Sequence, residues 1–152
     1  MRLLHTSDWH LGRTLHGLNI IDTQRDALEH IVVTAQQQDV DAVLVSGDIY
    51  DRAVPPVEAV QLFAETLGRL SEIGPVIVSS GNHDSAIRLG FGADLFRDRL
   101  HIRTRVDQID EPVVLSDESG PVLVYPIPYL DPDSVRRKLA EEPLPRSHEH
   151  VM

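Results

Sequence analysis

At 152 residues, with 41% hydrophobic and 25% charged positions, the chain has the size and composition of one soluble domain with a real core. It contains no cysteine, which excludes disulfides, thiolate zinc sites and cysteine nucleophiles, so any metal must be held by oxygen and imidazole ligands. A formal net charge of −10 speaks against a generic nucleic-acid coat protein; either metal ions supply positive charge at an acidic site, or a DNA-gripping surface lies elsewhere.

In chain order, Arg2–Thr6 is a short apolar strand. No basic leader with a long apolar segment precedes it, and no apolar run approaches the roughly 20 residues of a membrane span, so the expected location is the cytoplasm, without a membrane partner. Leu28, Ile31, Val32 and Ala35 fall on one face of a helix expected to begin near Asp22 or Thr23. Ala42-Val43-Leu44-Val45 is a continuous apolar run, the pattern of a parallel strand covered on both faces. After Pro55-Pro56, which can open a helix but not sit inside one, Val60, Phe63, Ala64 and Leu67 repeat the helical spacing. Val76-Ile77-Val78 is the third buried strand, which completes a βαβαβ pattern and predicts an α/β fold with a parallel sheet. From about Leu100 the pattern changes. His101–Val106, Val113–Leu115 and Pro121–Tyr125 read as shorter, antiparallel strands, followed by a polar tail with one helix near Ser134–Glu141.

A polar motif follows each of the three apolar strands: Thr6-Ser7-Asp8-Trp9-His10, then Ser46-Gly47-Asp48-Ile49-Tyr50-Asp51-Arg52, then Ser80-Gly81-Asn82-His83-Asp84. Loops at the carboxyl ends of parallel strands converge on one crevice, so Asp8, His10, Asp48, Asn82 and His83 are expected to meet there. The residue types suit two divalent metals roughly 4 Å apart, which clamp a phosphate ester and activate a water for in-line attack. Asp8 and His10 are expected to hold one ion together, Asp48 to bridge both, and Asn82 to give a neutral oxygen to the second. His83 is assigned to the transition state, as acid or charge-stabilising donor, with Asp51 holding its imidazole. Gly47 and Gly81 are read as providing sharp strand-to-loop turns. Hard ligands without sulfur favour Mn²⁺ and admit Mg²⁺, Fe or Zn²⁺. Trp9 is expected to pack beneath the ligands, Arg13 and Arg52 to lie near the mouth, His5 to be packed or hydrogen-bonded, and His16, His30 and His101 to lie on the surface.

Asp8-x-His10, Gly47-Asp48-x-x-Asp51 and Gly81-Asn82-His83-Asp84 resemble the first three signatures of the calcineurin-like metallophosphoesterases. Within that family the wider stretches Thr6–Gly12, Gly47–Asp51 with Pro55-Pro56, Gly81–Ser85 with Arg88-Leu89, and Tyr125–Leu130 resemble a branch of bacterial DNA nucleases. The resemblance implies an αββα sandwich and metal-dependent cleavage of DNA in repair and recombination. It also implies a homodimer partnered by an ATPase, with ATP-dependent double-strand exonuclease and single-strand endonuclease activities. It implies as well that residues 1–152 are the N-terminal part of the domain. The family completes its metal shell with a downstream Gly-His and a Gly-His-x-His; neither occurs here, and Ser147-His148-Glu149-His150 lacks the glycine and is read as a solvated polar stretch. Two alternatives stand beside the nuclease reading: a small-substrate phosphodiesterase or protein phosphatase on the same fold, and a dimerisation scaffold without competent metals.

Overall fold

The computed structural model describes residues 1–96, 98–139 and 144–152. Its elements run β1 (Leu3–Thr6), β2 (Thr14–Leu15), β3 (Leu18–Asn19), α1 (Ile21–Gln37), β4 (Ala42–Ser46), α2 (Val57–Ile73), β5 (Val76–Ser79) and α3 (Ala86–Leu89). They continue with β6 (Leu100–Arg103), β7 (Val113–Asp117), β8 (Gly120–Val124), α4 (Pro132–Val135) and α5 (His148–Val151).

The central sheet has the order β1-β4-β5-β6, and each neighbouring pair is parallel. Alternation along its strands sends side chains to two different coverings. Val43, Val45, Val76 and Val78 face the α1–α2 layer and pack with Leu28, Val32, Phe63, Leu67 and Leu70. Ala42 and Ile77 face the other way, against Val113 and Leu115 of the β7–β8 hairpin. The continuous apolar runs of β4 and β5 are thus explained by burial on both faces. The architecture is helices, parallel sheet and antiparallel strands, in that order.

Four expectations are corrected. The segment read as an antiparallel strand over His101–Val106 is β6, the fourth parallel strand, aligned with β5 from Val76↔Leu100 to Ser79↔Arg103. The physical reason is the connection: Ser80 to Arg99 exceeds the roughly one dozen residues that a parallel crossover needs. His101, expected on the surface, is consequently half-buried in the sheet. On α2 the buried stripe is Ala59, Leu62, Phe63, Thr66, Leu67 and Leu70, which keeps the expected Phe63 and Leu67 but not Val60 and Ala64. Apolar residues surround so much of this helix that periodicity alone does not select the inward face, and Val57 and Val60 remain exposed. In the tail, the helix expected near Ser134–Glu141 is the single turn of α4, its Asp131 N-cap accepting from the Asp133 N–H; the end of the expected helix lies outside the described residues.

Candidate metal centre

The three strands stop in register, and their loops continue the sheet's hydrogen bonding past its edge. The Asp8 N–H donates to Gly47 O at 3.2 Å, the His10 N–H to Asp48 O at 2.9 Å, and the Gly47 N–H to Ser79 O at 3.1 Å. This main-chain zipper carries the three polar motifs into one place. Asp8, His10 and Asp48 all have left-handed backbones, with φ of 57°, 44° and 49°. Asp and His tolerate this region better than most residues, yet each such position costs on the order of 1–3 kcal/mol unless its surroundings enforce it. Strain at three candidate ligands marks a site built for side-chain direction.

Two glycines serve different ends. Gly47 takes φ 76° and makes the sharp turn expected of it. Gly81 has no positive φ; its role is close approach, because a Cβ there would stand 2.1 Å from Asp48 Oδ1 and 2.3 Å from Asp48 N.

His10, Asp48 and His83 each present a donor atom within 4.8 Å of the other two. The His10 Nε2 lies 3.9 Å from Asp8 Oδ1 and 3.8 Å from Asp48 Oδ2. Both distances are too long for hydrogen bonds. They fit two ligands of one ion, since groups bound at ~2.1 Å can stand up to about 4.2 Å apart. On the far side of the ring, His10 Nδ1 is buried and without a hydrogen bond, with Asp51 Oδ1 3.7 Å away. A carboxylate behind a ligating imidazole is the usual way to fix its orientation. The donor set and the orphaned ring nitrogen therefore fit a divalent cation. Asp8 is open to solvent, its side chain 65% exposed. Asn82 is also exposed, at the lip of an open cleft of about 1060 Å³ whose other walls carry Thr104, Arg105, Tyr129 and Lys138.

Asp51 meets the His83 ring through its main chain and not its carboxylate. His83 Nδ1 donates to the main-chain carbonyl of Asp51 at 2.9 Å, and the Asp51 carboxylate instead faces His10 and Arg13 Nε, the latter at 3.9 Å. Because a carbonyl can only accept, Nδ1 carries a proton, and Nε2 is the ring nitrogen left free to take up a second one. That hydrogen bond, followed by the nearby charges of Asp48, Asp51 and Asp84, raises the His83 pKa above its ordinary 6.5. The His83 ring stands edge-on to His10, centroids 4.8 Å apart.

Two positioning side chains lie outside the set expected from the sequence. The Gln24 amide, from α1, donates to Trp9 O at 3.1 Å and His10 O at 2.8 Å, while its oxygen accepts from the Gly12 N–H at 3.0 Å. Nothing local in the sequence distinguishes this glutamine. Asp84, within the third motif but without an assigned role, accepts three main-chain N–H groups. The other expectations fare unevenly. Trp9 is buried beneath the candidate ligands, edge-on to Phe63, with its indole N–H on Thr6. Arg13 and Arg52 are exposed, Arg13 beside Asp51 at the mouth, and His16 and His30 are exposed too. His5 is exposed and hydrogen-bonded to Ser46. His148 contacts Tyr129 and His150 contacts Ser147. Burial pushes the Tyr50 hydroxyl up to about 12, with the charge of Asp84 adding to it, so it stays neutral at ordinary pH.

The calcineurin-like phosphoesterase family model matches residues 1–139. The chain belongs to that family. It is 38% identical over 119 residues to the SbcD component of the SbcCD nuclease of Staphylococcus epidermidis. That match covers 76% of this chain and 32% of the relative, so the chain spans about a third of the curated relative's length. Among the described residues, no helix is long and apolar enough to cross a membrane.

Proposed function

We propose that this chain is the N-terminal part of a metal-dependent DNA nuclease of SbcD type, hydrolysing phosphodiesters in DNA repair and recombination. The observation that carries the hydrolytic reading is the convergence of His10, Asp48 and His83 within 4.8 Å, from three loops far apart in sequence. DNA as substrate is supported by the named nuclease relative.

In this reading Asp8, His10 and Asp48 would hold one ion and Asp48 with Asn82 would hold a second, with Mn²⁺ the preferred metal. Bound divalent ions supply Lewis-acid stabilisation of the phosphate and lower the pKa of an attacking water. The chain's own residues do the rest. Asp51 keeps the His10 ring aimed inward. His83, exposed and with its pKa raised, presents Nε2 toward the leaving oxygen as proton donor or charge-stabilising group. Arg13 is placed to meet a phosphate oxygen at the mouth. The further members of the proposal are an SbcC ATPase partner, ATP-dependent double-strand exonuclease and single-strand endonuclease activities, and a homodimer. The dimer is supported by the exposed apolar residues Val54, Val57 and Val60 around the start of α2.

The test is Mn²⁺-dependent cleavage of linear duplex and circular single-stranded DNA by the protein in its full natural length, with and without SbcC and ATP. The reading predicts cleavage of both, stimulated on duplex by ATP and SbcC. Turnover of p-nitrophenyl phosphate without DNA cleavage would replace it with the small-substrate reading.

A further inference from the structure

We infer that Asp84 is a positioning residue that sets the spacing between the Asp48 loop and the Asn82-His83 loop; the inference rests on the metal-dependent reading of this site. One carboxylate gathers donors from both loops. Its Oδ2 accepts the Ile49 N–H at 3.1 Å and the Gly81 N–H at 2.8 Å, and its Oδ1 accepts the Tyr50 N–H at 2.9 Å. The exchange is reciprocal: Asp48 Oδ1, on the first loop, accepts the His83 N–H of the second at 3.0 Å. That bond occupies one oxygen of Asp48 and turns the other, Oδ2, toward His10. The contact between loops is backbone against backbone, since a Cβ on Gly47 would stand 3.0 Å from Gly81 Cα.

Three converging N–H groups demand an acceptor-only partner. A carboxylate meets that demand. An isosteric amide cannot, because its NH₂ would face at least one N–H donor, and that donor would lose its partner. Asp84 therefore acts through Asp48 and His83, both of its carboxylate oxygens being engaged by main-chain donors. Residues that orient metal ligands from behind typically change metal affinity 10–100-fold when altered.

The experiment compares wild type, Asp84→Asn and Asp84→Glu by three readouts: amide hydrogen exchange at Ile49, Tyr50 and Gly81 without metal, Mn²⁺ affinity by calorimetry, and Mn²⁺-dependent hydrolysis of bis-p-nitrophenyl phosphate. Asp84→Asn should lose protection at these amides, bind Mn²⁺ about 10–100-fold more weakly, and lose kcat more than KM. Asp84→Glu, which keeps the carboxylate, should recover part of all three. An Asp84→Asn protein that melts lower yet binds Mn²⁺ and turns over like wild type would reduce Asp84 to a structural residue and overturn the inference. Free exchange of the three amides in wild type would overturn it as well. If wild type neither binds Mn²⁺ nor hydrolyses the ester, the functional reading falls separately, and amide protection still decides whether Asp84 ties the loops. Should Asp84→Asn fail to fold, the inference stands on Asp84→Glu: protected amides with Mn²⁺ affinity within a few-fold of wild type support it, and near-wild-type affinity without protection refutes it.

Discussion

Gly81→Ala tests whether the two central ligand loops are held as tightly as the geometry states. The new Cβ would lie 2.1 Å from Asp48 Oδ1, 2.3 Å from Asp48 N and 2.8 Å from Asp48 Cγ. Carbon and oxygen in favourable contact stand about 3.3–3.6 Å apart, so the carboxylate must retreat by about 1 Å or more. Rotating the side chain does not suffice, because the main-chain nitrogen of Asp48 is also in the way. The loop itself must move, at an overpacking cost of roughly 1–3 kcal/mol. The same 1 Å is about half a metal–ligand bond, and displacements of that size at a reacting centre cost on the order of 10²-fold in rate. The core strands β4 and β5 lie behind the loop and are not touched, so the fold should survive. The assay pairs a thermal melt with a Mn²⁺ titration of the same preparation. The expected result is a modest fall in melting temperature with loss of most Mn²⁺ affinity. Wild-type Mn²⁺ affinity in a folded Gly81→Ala protein would refute the close-approach argument.

Further expectations follow from individual contacts. His83→Ala should leave Mn²⁺ content nearly intact while lowering single-turnover cleavage by roughly 10²–10⁴, and loss of metal in parallel with melting temperature would make His83 structural instead. Asp51→Asn should weaken Mn²⁺ binding through the His10 ring more than it disturbs His83, whose partner is the Asp51 main chain; unchanged metal affinity in a titration would contradict this. Leu70→Ala, at a fully buried α2 position, should cost about 2–5 kcal/mol in urea denaturation. His101 has its pKa lowered from 6.5, first by burial and then by Arg103. The folded chain therefore binds fewer protons at this position than the unfolded chain. Stability should fall as pH drops through 6.5 and level off below the folded pKa. His101→Gln should be flatter than wild type over that window in melts taken pH by pH, and an identical profile would remove the assignment.

The candidate site is legible in the sequence because each motif follows an apolar strand at a short, fixed distance, and strand direction alone then brings His10, Asp48 and His83 together. Their partners are less so. Spacing points Asp51 at the His83 ring, but a loop turn places its carbonyl there and sends its carboxylate to His10. Gly81 reads as a turn former, when what excludes a side chain is Asp48, distant in sequence. Gln24 reaches the first loop from α1, a contact that helical periodicity does not signal. The β2–β3 hairpin leaves little trace because its two-residue turn is His16-Gly17, both at positive φ, and its strands are only two residues each. The direction of β6 is hidden because β-propensity shows a strand's presence and not its orientation.

The most direct test of the central claim is anomalous diffraction from crystals of this chain soaked in Mn²⁺. The account predicts a manganese peak among Asp8, His10 and Asp48, and, where a second appears, one on the Asn82 side about 4 Å away. The Asp8–His10–Asp48 side should fill first. A peak only at His148 or His150, with nothing among the three loops at saturating Mn²⁺, would contradict it.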